Sequence, residues 1–158
     1  MILIAYASKY GGTRICAETL KERFSEVDVE IYDLEHDKID LARYDKVIIG
    51  APVFAGKIYN PLTAFCTSHK NELLSKKLGL FICGCAPEKF DEDQLNKSYD
   101  AQLLQHAVVK VRLGFVVDPN KLNFFTRFIM KKITGSAAYQ KKIDNDAVEK
   151  IYQAIMTD

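Results

Sequence analysis

Residues Ile2–Thr13 read Ile-Leu-Ile-Ala-Tyr-Ala-Ser-Lys-Tyr-Gly-Gly-Thr, and the fold is decided there. Ile2–Tyr6 are all apolar and predict a short buried strand, bounded on its far side by Ser8, Gly11 and Gly12. A helical pattern opens at Thr13, with Ile15, Cys16, Thr19, Leu20 and Phe24 recurring at three- and four-residue steps. Strand, glycine and hydroxyl turn, helix is an arrangement that aims unpaired backbone N–H groups and the positive end of the peptide dipoles at an anion. No lysine follows the glycines in the register of a nucleoside-triphosphate loop, and Gly-x-Gly-x-x-Gly is missing. Ser8-x-x-Gly11-x-Thr13 offers hydroxyls and amides without a metal-binding partner, which suits a phosphate monoester.

Working outward, 158 residues predict one domain with a sizeable core. A hydrophobic content of 48% and a charged content of 27% are ordinary for a globular chain, and a net charge of +1 gives no field for nucleic acid. Four cysteines scattered through the chain suggest reduced thiols. Strand residues follow Met1 at once, so no leader is read, and no apolar run approaches the roughly 20 residues of a membrane span. A cytoplasmic protein is expected.

Val27–Leu34 alternates as a half-buried strand near an edge, and Asp33–Asp40 is an acidic loop. Tyr44–Gly50 is a short apolar strand, Ala51–Asn60 a long loop, and Pro61 starts a helix running to about Lys70. Leu78–Cys83 is the next buried strand. After Glu88 a helix carries Leu95, Tyr99, Leu103 and Leu104. Ala107–Val117 reads as a strand, and Asp144–Met156 as a final amphipathic helix. This alternation predicts an α/β doubly wound, five-stranded parallel sheet of order 2-1-3-4-5 with helices on both faces. Ligands of such sheets bind outside the carboxyl ends of the strands where the order reverses. The loops meeting there are Ser8–Thr13, Ala51–Tyr59 and Cys83–Phe90.

The opening turn resembles the phosphate loop of the flavodoxin family, with Tyr10 standing where that family usually has threonine. The resemblance covers nearly the whole chain in the order and spacing of its elements, and it implies FMN. The residues expected to hold it are Ser8, Lys9, Tyr10, Gly11, Gly12 and Thr13 at the phosphate. Pro52, Val53, Phe54, Ala55, Gly56 and Lys57, with Cys83, Gly84, Cys85 and Ala86, are expected to frame the ring. Phe54 and Tyr59 can stack, the Ala55 and Gly56 amides can face the flavin N5 edge, and Lys57 can bring a positive charge. Phe54 read without a ligand is a core aromatic at a loop base. A narrower likeness, carried by Ser8-x-x-Gly11-x-Thr13, Val-Ile-Ile-Gly50-Ala with Gly56, and Phe128-Ile-Met-Lys-Lys-Ile133, is to the menaquinone-dependent protoporphyrinogen oxidase branch. That branch implies a porphyrinogen substrate and a quinone acceptor. Cys83-Gly84-Cys85 matches nothing in it.

Residues 119–142 hold Lys121, Arg127, Lys131, Lys132, Lys141 and Lys142 and no acid. As a helix, Leu122, Phe125, Ile129 and Ile133 form one apolar stripe that can pack on the domain. Phe124 and Phe128 form a second ridge needing another partner. A basic helix with spare aromatics suits a membrane surface, a quinone or a porphyrin with its carboxylates. A helix buried between layers and a homodimer contact are the open alternatives. Electron-carrier flavodoxins are typically acidic, which sets this chain apart from a carrier docking between redox proteins, the rival function. Ser8 and Gly50 stand where a phospho-receiver needs acids, and no Cys has the Arg six residues on that a Cys-x5-Arg phosphatase requires. Cys66-x-x-His69 with Cys83-x-Cys85 is too loosely spaced for a zinc site, so no metal is expected. A Cys83/Cys85 redox pair carries similar weight. His36 and His106 are expected on the surface, Asp91-Glu92-Asp93 at a solvated helix start. No side chain stands out as a general base.

Overall fold

A computed structural model describes Met1–Thr157. In chain order the elements are β1 (Ile2–Tyr6), α1 (Gly12–Arg23), β2 (Val29–Asp33), β3 (Lys46–Phe54), β4 (Lys57–Ile58), α2 (Asn60–Ser68) and α3 (Lys70–Leu74). Then come β5 (Lys77–Cys83), α4 (Asp91–Ser98), α5 (Ala101–His106), β6 (Val109–Val117), α6 (Phe124–Thr134), β7 (Gln140–Ile143) and α7 (Asn145–Met156). The sheet runs β2-β1-β3-β5-β6-β7, with parallel pairing from β2 to β6. Counting only these five parallel strands, the order is the expected 2-1-3-4-5.

Alternation along each strand divides the core into two layers. Leu3, Ala5 and Ala7 pack with Val47, Ile49, Leu62, Leu73, Leu80 and Leu103 under α2 to α5. Ile2, Ile4 and Tyr6 pack with Cys16, Leu20, Phe24, Phe81, Leu113 and Ile151 under α1 and α7. Ile48 and Ile49, adjacent in sequence, belong to opposite layers. A sheet covered on both faces buries such continuous apolar runs completely.

The sequence reading changes at four places. Two further strands exist: β7 pairs antiparallel with β6, and β4 pairs antiparallel with β3. The expected long loop after Gly50 is therefore mostly a hairpin, turning through Ala55 (φ 48) and Gly56 (φ 74). Positive φ at both central residues is the type I′ requirement. The helix expected through Tyr99 is two helices, because Tyr99 is extended (φ −127, ψ 152). Its buried hydroxyl lies 2.5 Å from the Phe81 carbonyl, to which it donates. Asp91 is not solvent-facing, since Arg112 holds it at 2.7 Å in a half-buried ion pair.

Candidate functional site

The first turn of α1 begins at Gly11, whose φ of +83 places it in the left-handed region as N-cap. Gly12 follows with its backbone against β6: a Cβ there would lie 2.2 Å from the Val116 carbonyl oxygen. Ser8 Oγ accepts from the Arg14 N–H at 3.3 Å, closing the turn and leaving the hydroxyl proton free to donate. Thr13 is buried, with its hydroxyl reaching the Cys83 thiol beneath the helix. The Lys121 ammonium, delivered by the 3-10 turn Pro119–Lys121, lies 3.0 Å from the point a Gly11 Cβ would occupy.

Beside this turn, at the carboxyl ends of β1, β3, β5 and β6, opens a cavity of about 250 Å3. Of the residues expected from sequence, all but Gly11 and Lys57 line it. Gly11 forms the turn behind its neighbours. Lys57 is carried past the cavity by the hairpin, paired with Phe54 in β4 and exposed. Tyr59 does not line it either, and its hydroxyl donates to Glu35 at 3.0 Å. Phe54 meets both Tyr10 and Tyr59 edge-on, with ring centroids 5.7 and 6.5 Å apart, and the Lys9 ammonium sits 5.8 Å from the Phe54 ring. Phe54 is exposed, so the core-aromatic reading fails.

Sequence reasoning missed one wall. Phe115, Val116, Val117 and Asp118 at the end of β6, Leu122 just before α6, and Thr126, Met130 and Ile133 on α6 complete the lining. Asp118 is engaged as a cap, accepting from the Asn120 N–H at 3.0 Å. The α6 helix is anchored by Arg127, whose guanidinium donates to the Pro119 carbonyl at 2.8 Å. Asn123 caps its start at 2.8 Å. Thr126, Met130 and Ile133 form its inner face, so of the expected inward stripe Leu122 and Ile133 reach the cavity while Phe125 and Ile129 do not. Phe125 is 70% exposed and Phe124 87% exposed, and Phe128, Ile129 and Ile133 are exposed with them. The Phe124/Phe128 ridge faces outward, and the first stripe is split, with Leu122 and Ile133 at the cavity and Phe125 and Ile129 outside.

Gln94 is the other residue without a sequence signal. Its Oε1 is buried at the cavity with no hydrogen-bond partner, the one such side-chain atom among the described residues. An unpaired buried acceptor costs about 1–3 kcal/mol. A ligand carrying an N–H donor would remove that cost, and a flavin ring has one. The apolar floor and the amide-lined turn beside it fit the ring and the phosphate of FMN in the same way.

Cys83 and Cys85 do not pair with each other. Cys83 faces Cys16 and Thr13 rather than Cys85, and all four thiols are free. Donation of its S–H to the Cys16 sulfur, with full burial, pushes the Cys83 thiol well above its ordinary range, and burial pushes Cys85 up to about 11. Among the described residues no three His, Cys, Asp or Glu side chains group as metal ligands. His36 and His106 are exposed, with the His106 ring 2.7 Å from the Lys76 carbonyl. No described helix is long and apolar enough to cross a membrane.

Among solved structures, the chain is similar to oxidised flavodoxin 2 from Bacillus cereus, with 23% identity over 98% of this chain and 94% of that one, at a TM-score of 0.58. A Lactobacillus acidophilus flavoprotein in complex with FMN is 18% identical over 71% of this chain and 92% of its own, at 0.53. Rubredoxin oxygen:oxidoreductase from Desulfovibrio gigas is 16% identical over 95% of this chain, at 0.52, and this chain spans only 36% of its length. These likenesses speak for the fold. No curated protein matches the sequence. The flavodoxin domain family matches residues 3–144, and with the strand order and the opening turn described above, this chain belongs to that family.

Proposed function

We propose that this chain is an FMN-binding oxidoreductase of the flavodoxin family that exchanges electrons with an apolar small molecule at an anionic membrane surface. The reaction its narrower resemblance suggests is quinone-linked dehydrogenation of protoporphyrinogen IX in haem biosynthesis. The comparisons reach only the family and do not single out that branch. The observation that carries the reading is α6, which lines the cavity with one face and presents Phe124, Phe125 and Phe128 among Arg127, Lys131 and Lys132 on the other. A basic surface with exposed aromatics matches anionic lipid and apolar redox molecules bearing carboxylates.

FMN supplies the hydride and electron chemistry when bound. The amides of Lys9–Thr13 and the Ser8 hydroxyl hold its phosphate, with the Lys121 cation beside them. Pro52–Gly56 and Gly84–Ala86 frame the ring, while Tyr10 and Phe54 wall its entrance. Thr126, Met130 and Ile133 exclude water from the side on which an apolar substrate enters. Asp118 accepts from the Asn120 N–H and so fixes the turn that carries Lys121.

A carrier passing electrons between redox proteins is the second reading, and the whole-length likeness to a Bacillus flavodoxin favours it equally. The holoprotein, photoreduced and offered a menaquinone in anionic vesicles, and in a separate assay oxidised and offered protoporphyrinogen IX, separates the two. Turnover with both small molecules is expected. Electron transfer only to a protein acceptor would establish the carrier.

A further inference from the structure

Resting on the FMN reading, we propose that Gln94 recognises the pyrimidine edge of the flavin by accepting its N3–H. Gln94 lies in the first turn of α4 and turns its side chain into the cavity beside the third loop. Its Oε1 is 4.0 Å from where a Gly84 Cβ would stand, and the Val53 carbonyl oxygen is 3.7 Å from that same point. Two carbonyl oxygens are thus turned toward one small residue, and Oε1 has no donor among the described residues. Native structures leave few such acceptors unpaired unless water or a ligand completes them.

The chemistry of the missing donor is narrow. In the oxidised isoalloxazine the ring carries several acceptors but one N–H, at N3. N5 gains a hydrogen only on reduction, so it cannot complete the acceptor in the resting protein. N3–H is flanked by carbonyls, and a primary amide is its natural complement. Oε1 accepts from N3–H, while the amide NH2 has two hydrogens to give to a neighbouring carbonyl. Gly84, lacking a side chain, leaves room for the ring edge between Val53 and Gln94. Recognition would therefore come from the side chain of α4, with the backbone of the third loop serving to admit the ring.

The test uses FMN and 3-methyl-FMN, which lacks the donor, titrated against apoprotein by quenching of flavin fluorescence. Wild type is expected to bind FMN about tenfold more tightly than the methylated form. Gln94→Met, apolar and of similar length, is expected to bind FMN about tenfold less tightly and to discriminate between the two flavins less than twofold. Its apoprotein is expected to melt no lower than wild type, because an unpaired buried acceptor has gone. Tight FMN binding with undiminished discrimination in Gln94→Met overturns the role of Gln94 and leaves the FMN reading intact. Wild type that binds neither flavin overturns both.

Discussion

The ammonium of Lys121 lies 3.0 Å from the point a Cβ on Gly11 would occupy, so a cation from beyond β6 covers the opening turn of the chain. The sequence places these residues 110 positions apart, and the topology joins them because β6 ends beside α1. A phosphate on the α1 amides would meet this cation as well. Lys121→Met is expected to weaken FMN binding about threefold to tenfold and to leave riboflavin, which has no phosphate, unaffected. The preference for FMN over riboflavin should also shrink with added salt in wild type and hardly at all in the variant. Equal losses for both flavins would remove Lys121 from the phosphate site.

Gly11 and Gly12 are adjacent but are required for different reasons. A Cβ on Gly12 would run into the Val116 carbonyl at 2.2 Å, a backbone atom held in the sheet. Gly12→Ala is expected to cost about 3 kcal/mol or more in urea unfolding, as overpacking against a rigid neighbour does. Gly11→Ala meets only the mobile end of Lys121 but must keep φ near +83, a strain of about 1–2 kcal/mol. It should fold, with a weakened grip on FMN. Equal unfolding midpoints for the two variants would contradict this account.

The Cys66 thiol, on α2 in the first core layer, is pushed up to about 12 by burial, from an ordinary 9.0. The folded state therefore keeps this proton to higher pH than the unfolded chain does. The stability tied to the neutral thiol is complete below about pH 9 and is lost as pH rises toward 12. At full extent it is on the order of 4 kcal/mol. Urea midpoints measured between about pH 8 and pH 11 should fall more steeply for wild type than for Cys66→Ala, which begins lower at neutral pH because it leaves a small void.

Phe124 and Phe128 touch little of the domain, being 87% and 52% exposed. The double variant Phe124→Ser/Phe128→Ser is expected to change unfolding free energy by no more than about 0.5 kcal/mol per site. Wild type is expected to pellet with anionic vesicles, and the variant to lose most of that co-sedimentation. Equal pelleting would refute the membrane contact without touching the assignment of the cavity.

What the sequence carried and what it hid follow from the range of the interactions involved. β1 and α1 announce themselves because a buried apolar run, a glycine turn and a helical period are all local. Most of the expected site residues reach the cavity because three loops end at one place in a sheet of known order. Ala55 was opaque: alanine gives no turn signal, and only the pairing of Val53 with Ile58 shows that β3 continues into a hairpin. β7 hides for a similar reason, since Gln140-Lys-Lys-Ile143 has two lysines at its centre and gains its identity from β6. Tyr99 sits four residues from Leu95 and from Leu103, a helical spacing, yet its hydroxyl bond to the Phe81 carbonyl breaks the helix. On α6 the more apolar face is the one turned to solvent, which defeats any rule that sends the greasier stripe inward. Gln94 is a polar residue directly after three acids, and nothing but the sheet beneath it reveals where its amide points.

The way α6 is mounted sets a distance. One helix with its side chains is ~10 Å thick, and here that single layer separates the ring-sized cavity from whatever rests against the three phenylalanines. A lipid leaflet, a quinone dissolved in it or a protein laid on the same side would all come within one helix diameter of the redox centre. Electrons can cross so thin a wall without any hinge or door, whereas a molecule that gives up hydrogen has to pass round the helix and touch the ring itself.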